Sequence, residues 1–140
     1  NTITAKPGNW NVKGNIIIPK PYTLKLTANT QLQFEEQGSL VIYGASYFIG
    51  SIKQPVVLKG IADKSWQGLV VFKASQRSKW AYVNILNTTE FNYPLWKLTG
   101  GVTFYQSNVD IENSLFWKIW PWYTKFVCPS AIGIVFFHSL

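Results

Sequence analysis

The chain has 140 residues, enough for one domain with a sizeable core. Apolar residues make up 47% and charged residues 14%, which excludes a disordered polypeptide and points to an elongated body with its charges on loops. A formal net charge of +7, from 13 Lys and Arg against 6 Asp and Glu, favours acidic partners, while the single cysteine, Cys128, excludes an internal disulfide framework and any multi-cysteine metal site.

Methionine is missing from the whole sequence, position 1 included, so the chain reads as a processed product or an excised segment without a signal peptide. From residue 16 onward apolar residues arrive as pairs two apart: Ile16/Ile18, Leu24/Leu26, Leu32/Phe34, Leu40/Ile42, then Phe48, then Val56/Leu58. Spacing of two places both side chains of a pair on one face of a strand. The pairs start eight residues apart with no helical run between them, leaving room for a short strand and a tight corner. Three such strands make a turn of 24 residues, within the range that marks solenoids. The predicted fold is all-β, a right-handed parallel β-helix with about 24–30 residues per rung.

Further along, one strand family is expected to stack Leu32/Phe34, Val56/Leu58, Val83/Ile85 and Val109/Ile111. A second stacks Ile16/Ile18, Leu40/Ile42, Leu69/Val71 and Val102/Phe104. The extra residues fall at 60–66 and 87–97, rich in turn formers, Lys and Asn, and are read as protruding loops. An antiparallel sandwich of evenly spaced strands is the alternative. Against it, the corners lack the Asn-Gly and Asp-Gly pairs of tight hairpins.

Four stretches, Leu26-Thr-Ala-Asn-Thr-Gln-Leu, Ser65-Trp-Gln-Gly-Leu, Arg77-Ser-Lys-Trp-Ala-Tyr-Val and Leu98-Thr-Gly-Gly-Val-Thr-Phe-Tyr, resemble bacterial right-handed β-helix repeat proteins, some of which accompany spore-coat-H-like modules. The likeness covers roughly residues 10 to 116 and rests on structural corners. It implies an extracellular or cell-surface location and little chemistry. The expected division is 1–116, β-helix rungs with an N-terminal cap region, and 117–140, an atypical apolar and aromatic tail.

That tail has no Asp or Glu, holds Cys128 and His138, and has seven aromatics in its 24 residues. It reads either as a cap on the last rung or as an out-of-frame segment joined to the repeat. Its longest uncharged stretch, Phe126 to Leu140, is 15 residues long and interrupted by Pro129 and Gly133. A membrane-spanning helix needs about 20 apolar residues, so no span is assigned.

No Gly-rich phosphate loop or metal-ligand spacing is present, and neither a cofactor nor a metal is expected. Asp110 and Glu112, two apart on one strand, are the candidate carboxylate pair for a polysaccharide lyase or hydrolase, but nothing basic or aromatic is spaced to complete them. His138 and Cys128 have no catalytic partner placed for nucleophilic work, so no catalytic residue is assigned. Asn87-Thr-Thr89 fits the N-glycosylation pattern, although Asn at a corner commonly serves backbone hydrogen bonding.

Two surface features remain. Lys73, Arg77, Lys79 and Trp80 fall within eight residues and, with Trp66, are the candidate ligand-binding set; the alternative is a solvated corner. Ile17, Val41, Val70 and Thr103 lie between inward pairs and are expected to form an outward β-branched stripe, either an interaction surface or a strip covered by loops or the tail. The function read from these is a non-enzymatic extracellular structural or binding module for acidic polysaccharide or a protein partner. Nucleic acid is disfavoured because the cations are scattered. A polysaccharide-degrading enzyme is the alternative.

Overall fold

The structure is a computed structural model that describes residues 1–89, 91–93, 96–98, 101–119 and 124–133, with side chains described for 1–89 and 101–119. It is a parallel β-helix, with no α-helix among the described residues. The first rung comprises β1 (Thr2–Thr4), β2 (Gly8–Val12) and β3 (Asn15–Ile18). The second has β4 (Thr23–Thr27), β5 (Thr30–Phe34) and β6 (Ser39–Ile42), and the third β7 (Ser46–Ile49), β8 (Val56–Gly60) and β9 (Leu69–Phe72). The fourth has β10 (Ser78–Ala81), β11 (Val83–Thr88) and β14 (Val102–Tyr105), with the antiparallel hairpin β12 (Phe91–Tyr93) and β13 (Trp96–Leu98) inserted between them. The six apolar groups starting at residues 16, 24, 32, 40, 48 and 56 are the inward positions of β3 to β8.

Three parallel ladders run the length of the body. The first is β1-β4-β7-β10, the second β2-β5-β8-β11 and the third β3-β6-β9-β14. Both of the first two end on β15 (Val109–Ile119), an 11-residue strand whose first half pairs with β10 and whose second half pairs with β11. Strand β16 (Thr124–Gly133) then returns antiparallel along β15, so part of the atypical tail continues the sheet of the last rung.

Register confirms one predicted family and, in the other, confirms the step in which Val56 and Leu58 pair with Val83 and Ile85 while correcting the remaining two. Ile16 pairs with Leu40, Leu40 with Leu69 and Leu69 with Val102, as the spacing predicts. In the second ladder, however, Leu32 lies beside Leu58, two residues off the expected Val56. Val109 and Ile111 pair with Ser78 and Trp80 in the first ladder, whereas Ile85 pairs with Phe116. The cause is unequal rung length. Corners of different size separate the strands, so a fixed step along the sequence drifts out of register.

The core is a column of inward side chains. Phe48 stacks on Trp80 with ring centroids 5.0 Å apart, Trp80 meets Phe104 at 5.0 Å, and Phe34 stacks on Trp66 at 4.4 Å. Both indoles satisfy their N–H groups inside: Trp66 Nε1 donates to the Leu86 carbonyl at 2.8 Å and Trp80 Nε1 to Ser46 Oγ at 2.9 Å. A buried indole without such a partner would lose stability, because a desolvated N–H is costly. Ser46 and Ser78 extend the network across the rungs, their hydroxyls 3.2 Å apart.

Corners use left-handed backbone. Tyr82 (φ 54) turns the chain between β10 and β11, and Asn113 (φ 50) makes the equivalent bend inside β15. One rung earlier the position belongs to Gly50, where an added Cβ would lie 2.6 Å from the Tyr82 carbonyl oxygen, so only glycine fits without displacing backbone.

Candidate functional site

Alternation decides which of the predicted site residues can meet a ligand. Adjacent residues of a strand face opposite sides of the sheet. In β10 this sends Lys79 outward and Trp80 inward, so Trp80 is fully buried. Trp66 is equally buried, stacked on Phe34. Neither offers a flat face to a sugar ring, which corrects the expectation for both tryptophans.

The cations separate as well. Lys73 sits at a left-handed corner (φ 51) with its ammonium 5.3 Å from the centre of the Phe72 ring. Arg77 Nη1 donates to Asp110 Oδ1 at 2.9 Å. That contact occupies one carboxylate of the candidate catalytic pair with a neighbouring guanidinium. Asn87 (φ 61) is a corner residue whose side-chain amide donates to the Asp63 carbonyl at 3.3 Å, the backbone role open to Asn at such a bend.

The β-branched stripe is in register as expected: Ile17 beside Val41, Val41 beside Val70, Val70 beside Thr103. Only Ile17 is an open surface, at 46% exposure; Val41, Val70 and Thr103 are buried. Val41 and Val70 form an apolar cluster separate from the main core, flanked by Tyr43 and Phe72. The stripe is therefore a covered strip over most of its length, which corrects its reading as an interaction face. Phe72 also stacks on Tyr105 at 4.9 Å and meets Tyr43 edge-on at 5.7 Å.

What the structure gathers instead is a groove on the outer face of the first ladder, lined by Thr23, Lys25, Tyr47, Lys79, Tyr82 and Glu112 among others. Register explains the grouping. Lys25 pairs with Tyr47, Tyr47 with Lys79 and Lys79 with Asp110, so these four side chains form one outward column. Lys25 and Lys79 are exposed, and neither is ion-paired among the described residues. Of the predicted set only Lys79 belongs to this groove. The alternation could have revealed the others, since Leu24, Leu26 and Phe48 point inward and force Lys25 and Tyr47 out. What the sequence concealed is the register that brings residues 25, 47 and 79 side by side.

No group of three or more His, Cys, Asp or Glu side chains among the described residues is placed to hold a metal ion. No helix among the described residues is long and apolar enough to cross a membrane. His138 lies outside the described residues, as does the Cys128 side chain. Comparison with protein-family models, with curated proteins and with solved structures found no match.

Proposed function

We propose that this protein is a non-enzymatic extracellular binding module for acidic polysaccharide, with the outer face of the first ladder as its contact surface. The observation that carries the reading is the column Lys25–Tyr47–Lys79, two exposed ammonium groups flanking an aromatic ring in one groove. A rigid solenoid holds these groups at fixed spacing, so a polymer can meet several at once without ordering the protein further. The net charge of +7 speeds the approach of an anionic chain and suits this role. An extracellular setting rests on the resemblance to secreted β-helix repeat proteins.

The test is binding to immobilised acidic and neutral glycans at low and high salt. The expected result is retention by acidic glycans that weakens as salt rises, and that weakens further in Lys25→Ala and Lys79→Ala. Equal retention by neutral glycans would show that charge is not the basis. Release of shortened or unsaturated sugars, abolished by changing Asp110 and Glu112, would move the protein into the enzyme class.

A further inference from the structure

We propose that the groove discriminates among acidic glycans by charge spacing, selecting an extended chain in which anionic and neutral sugars alternate; this rests on the glycan-binding reading above. In the outward column, Thr4 stands beside Lys25, followed by Tyr47, Lys79 and Asp110 on successive rungs. Rungs of a parallel sheet lie about 4.8 Å apart, so the two lysine positions are about 10 Å apart with one tyrosine position between them. A polymer lying along the solenoid axis thus meets a hydroxyl, a cation, an aromatic ring and a second cation in turn.

The tyrosine sets the preference. The face of an aromatic ring carries the negative lobe of its quadrupole, which accepts an apolar sugar face and repels a carboxylate. A chain with an anion on every unit places one over Tyr47. A chain with an anion on every second unit places a neutral ring there and an anion at each lysine. The column also has an end. Beyond Lys79 stands Asp110, engaged by Arg77, and the exposed carboxylate of Glu112 lines the same groove. The Arg77–Asp110 pair carries no net charge and adds no third cation to the column, and the Glu112 carboxylate disfavours a further anionic unit, so the recognised motif is anion, neutral, anion.

The experiment measures affinity of the whole chain for two probes of equal charge number. One is a hyaluronan oligosaccharide, in which glucuronate alternates with a neutral amino sugar; the other is an oligogalacturonate, charged at every unit. The alternating probe is expected to bind more tightly. Lys25→Ala and Lys79→Ala each weaken it by about fivefold, the size of one exposed ion pair. Lys13→Ala, an exposed cation outside the column, leaves its affinity unchanged. Tyr47→Ala is expected to erase the difference between the probes, with circular dichroism confirming that the variant is folded. Equal or tighter binding of the galacturonate, still dependent on both lysines, would overturn the spacing inference and leave the glycan reading standing. Preference for hyaluronan that persists in both lysine variants would overturn it too. Binding of neither probe would remove the glycan reading itself.

Discussion

The first and last rungs are built from the same kinds of residue and end up in different states. In the first rung the inward positions of β1 and β2 carry Ile3 and Trp10, which remain 38% and 43% exposed. In the last, the inward residues Val109, Ile111, Phe116 and Ile119 are all buried. Among the described residues, β1, β2 and β3 each pair on one edge only, whereas β15 is paired on both, with β10 and β11 on one side and β16 on the other. An inward residue of a solenoid is buried by its neighbours above and below, so apolar identity alone does not place it in the core. Trp10 closes part of its own end, its indole N–H donating to the Lys6 carbonyl at 2.8 Å.

The sharpest test of this comparison sets two tryptophans against each other. Trp80→Ala removes a fully buried ring that touches Phe48 and Phe104 and leaves Ser46 Oγ without its donor. It should cost about 4 kcal/mol in a denaturant titration. Trp10→Ala, at the open end, should cost about 1 kcal/mol, scaled down with its burial. Similar losses for the two would mean that the first rung is packed as tightly as the fourth.

A chain truncated after Ile119 tests the other end. Removing β16 strips the pairing from one edge of β15 along its length, and an unpaired strand edge invites association. Its circular dichroism should keep the β signal while its sedimentation shows oligomers. Loss of the β signal would make the returning strand essential to the fold. Thr103→Val is a smaller change with the opposite sign. The Thr103 hydroxyl is buried without a hydrogen-bond partner among the described residues, so replacing it by a methyl group should raise stability by about 1 kcal/mol. The smallest effect belongs to Arg77→Ala. Its ion pair with Asp110 has both side chains 40% or more exposed, and after solvent screening its loss should cost about 0.5 kcal/mol or less.

Much of the architecture was legible because strand alternation survives any corner length. Ile16, Leu40, Leu69 and Val102 were identifiable as one inward row from their own neighbourhoods. In the first two ladders only the step from Val56 and Leu58 to Val83 and Ile85 was, since β15 serves both and its bend at Asn113 looks from the sequence like continuous strand. The site was less legible than the fold. Trp80 beside Lys79 looked like a ligand-binding pair, yet neighbouring residues of one strand cannot share a face. The column that replaces it joins residues of three rungs, and only pairing partners reveal which positions those are.

The corners themselves have a consequence for engineering. Between the first and second ladders the fourth rung turns on the single residue Tyr82, and β15 turns within an unbroken strand at Asn113. Gly50, Tyr82 and Asn113 sit over one another, with the Gly50 amide donating to the Ala81 carbonyl at 2.8 Å and the Tyr82 amide to the Glu112 carbonyl at 3.2 Å. In the third rung this vertex loops out residues 51–55 while the Gly50 and Val56 amides still donate to the Ala81 and Tyr82 carbonyls. The one-residue turns at Tyr82 and Asn113 are its tight form and the 51–55 loop its open form. Between β8 and β9 the chain instead makes an excursion whose tip, Ala62 to Lys64, is exposed. A peptide grafted there would be displayed from a stiff body whose ladders stay intact, which makes the same molecule a presentation scaffold with two tight turns, Tyr82 and Asn113, and a permissive excursion.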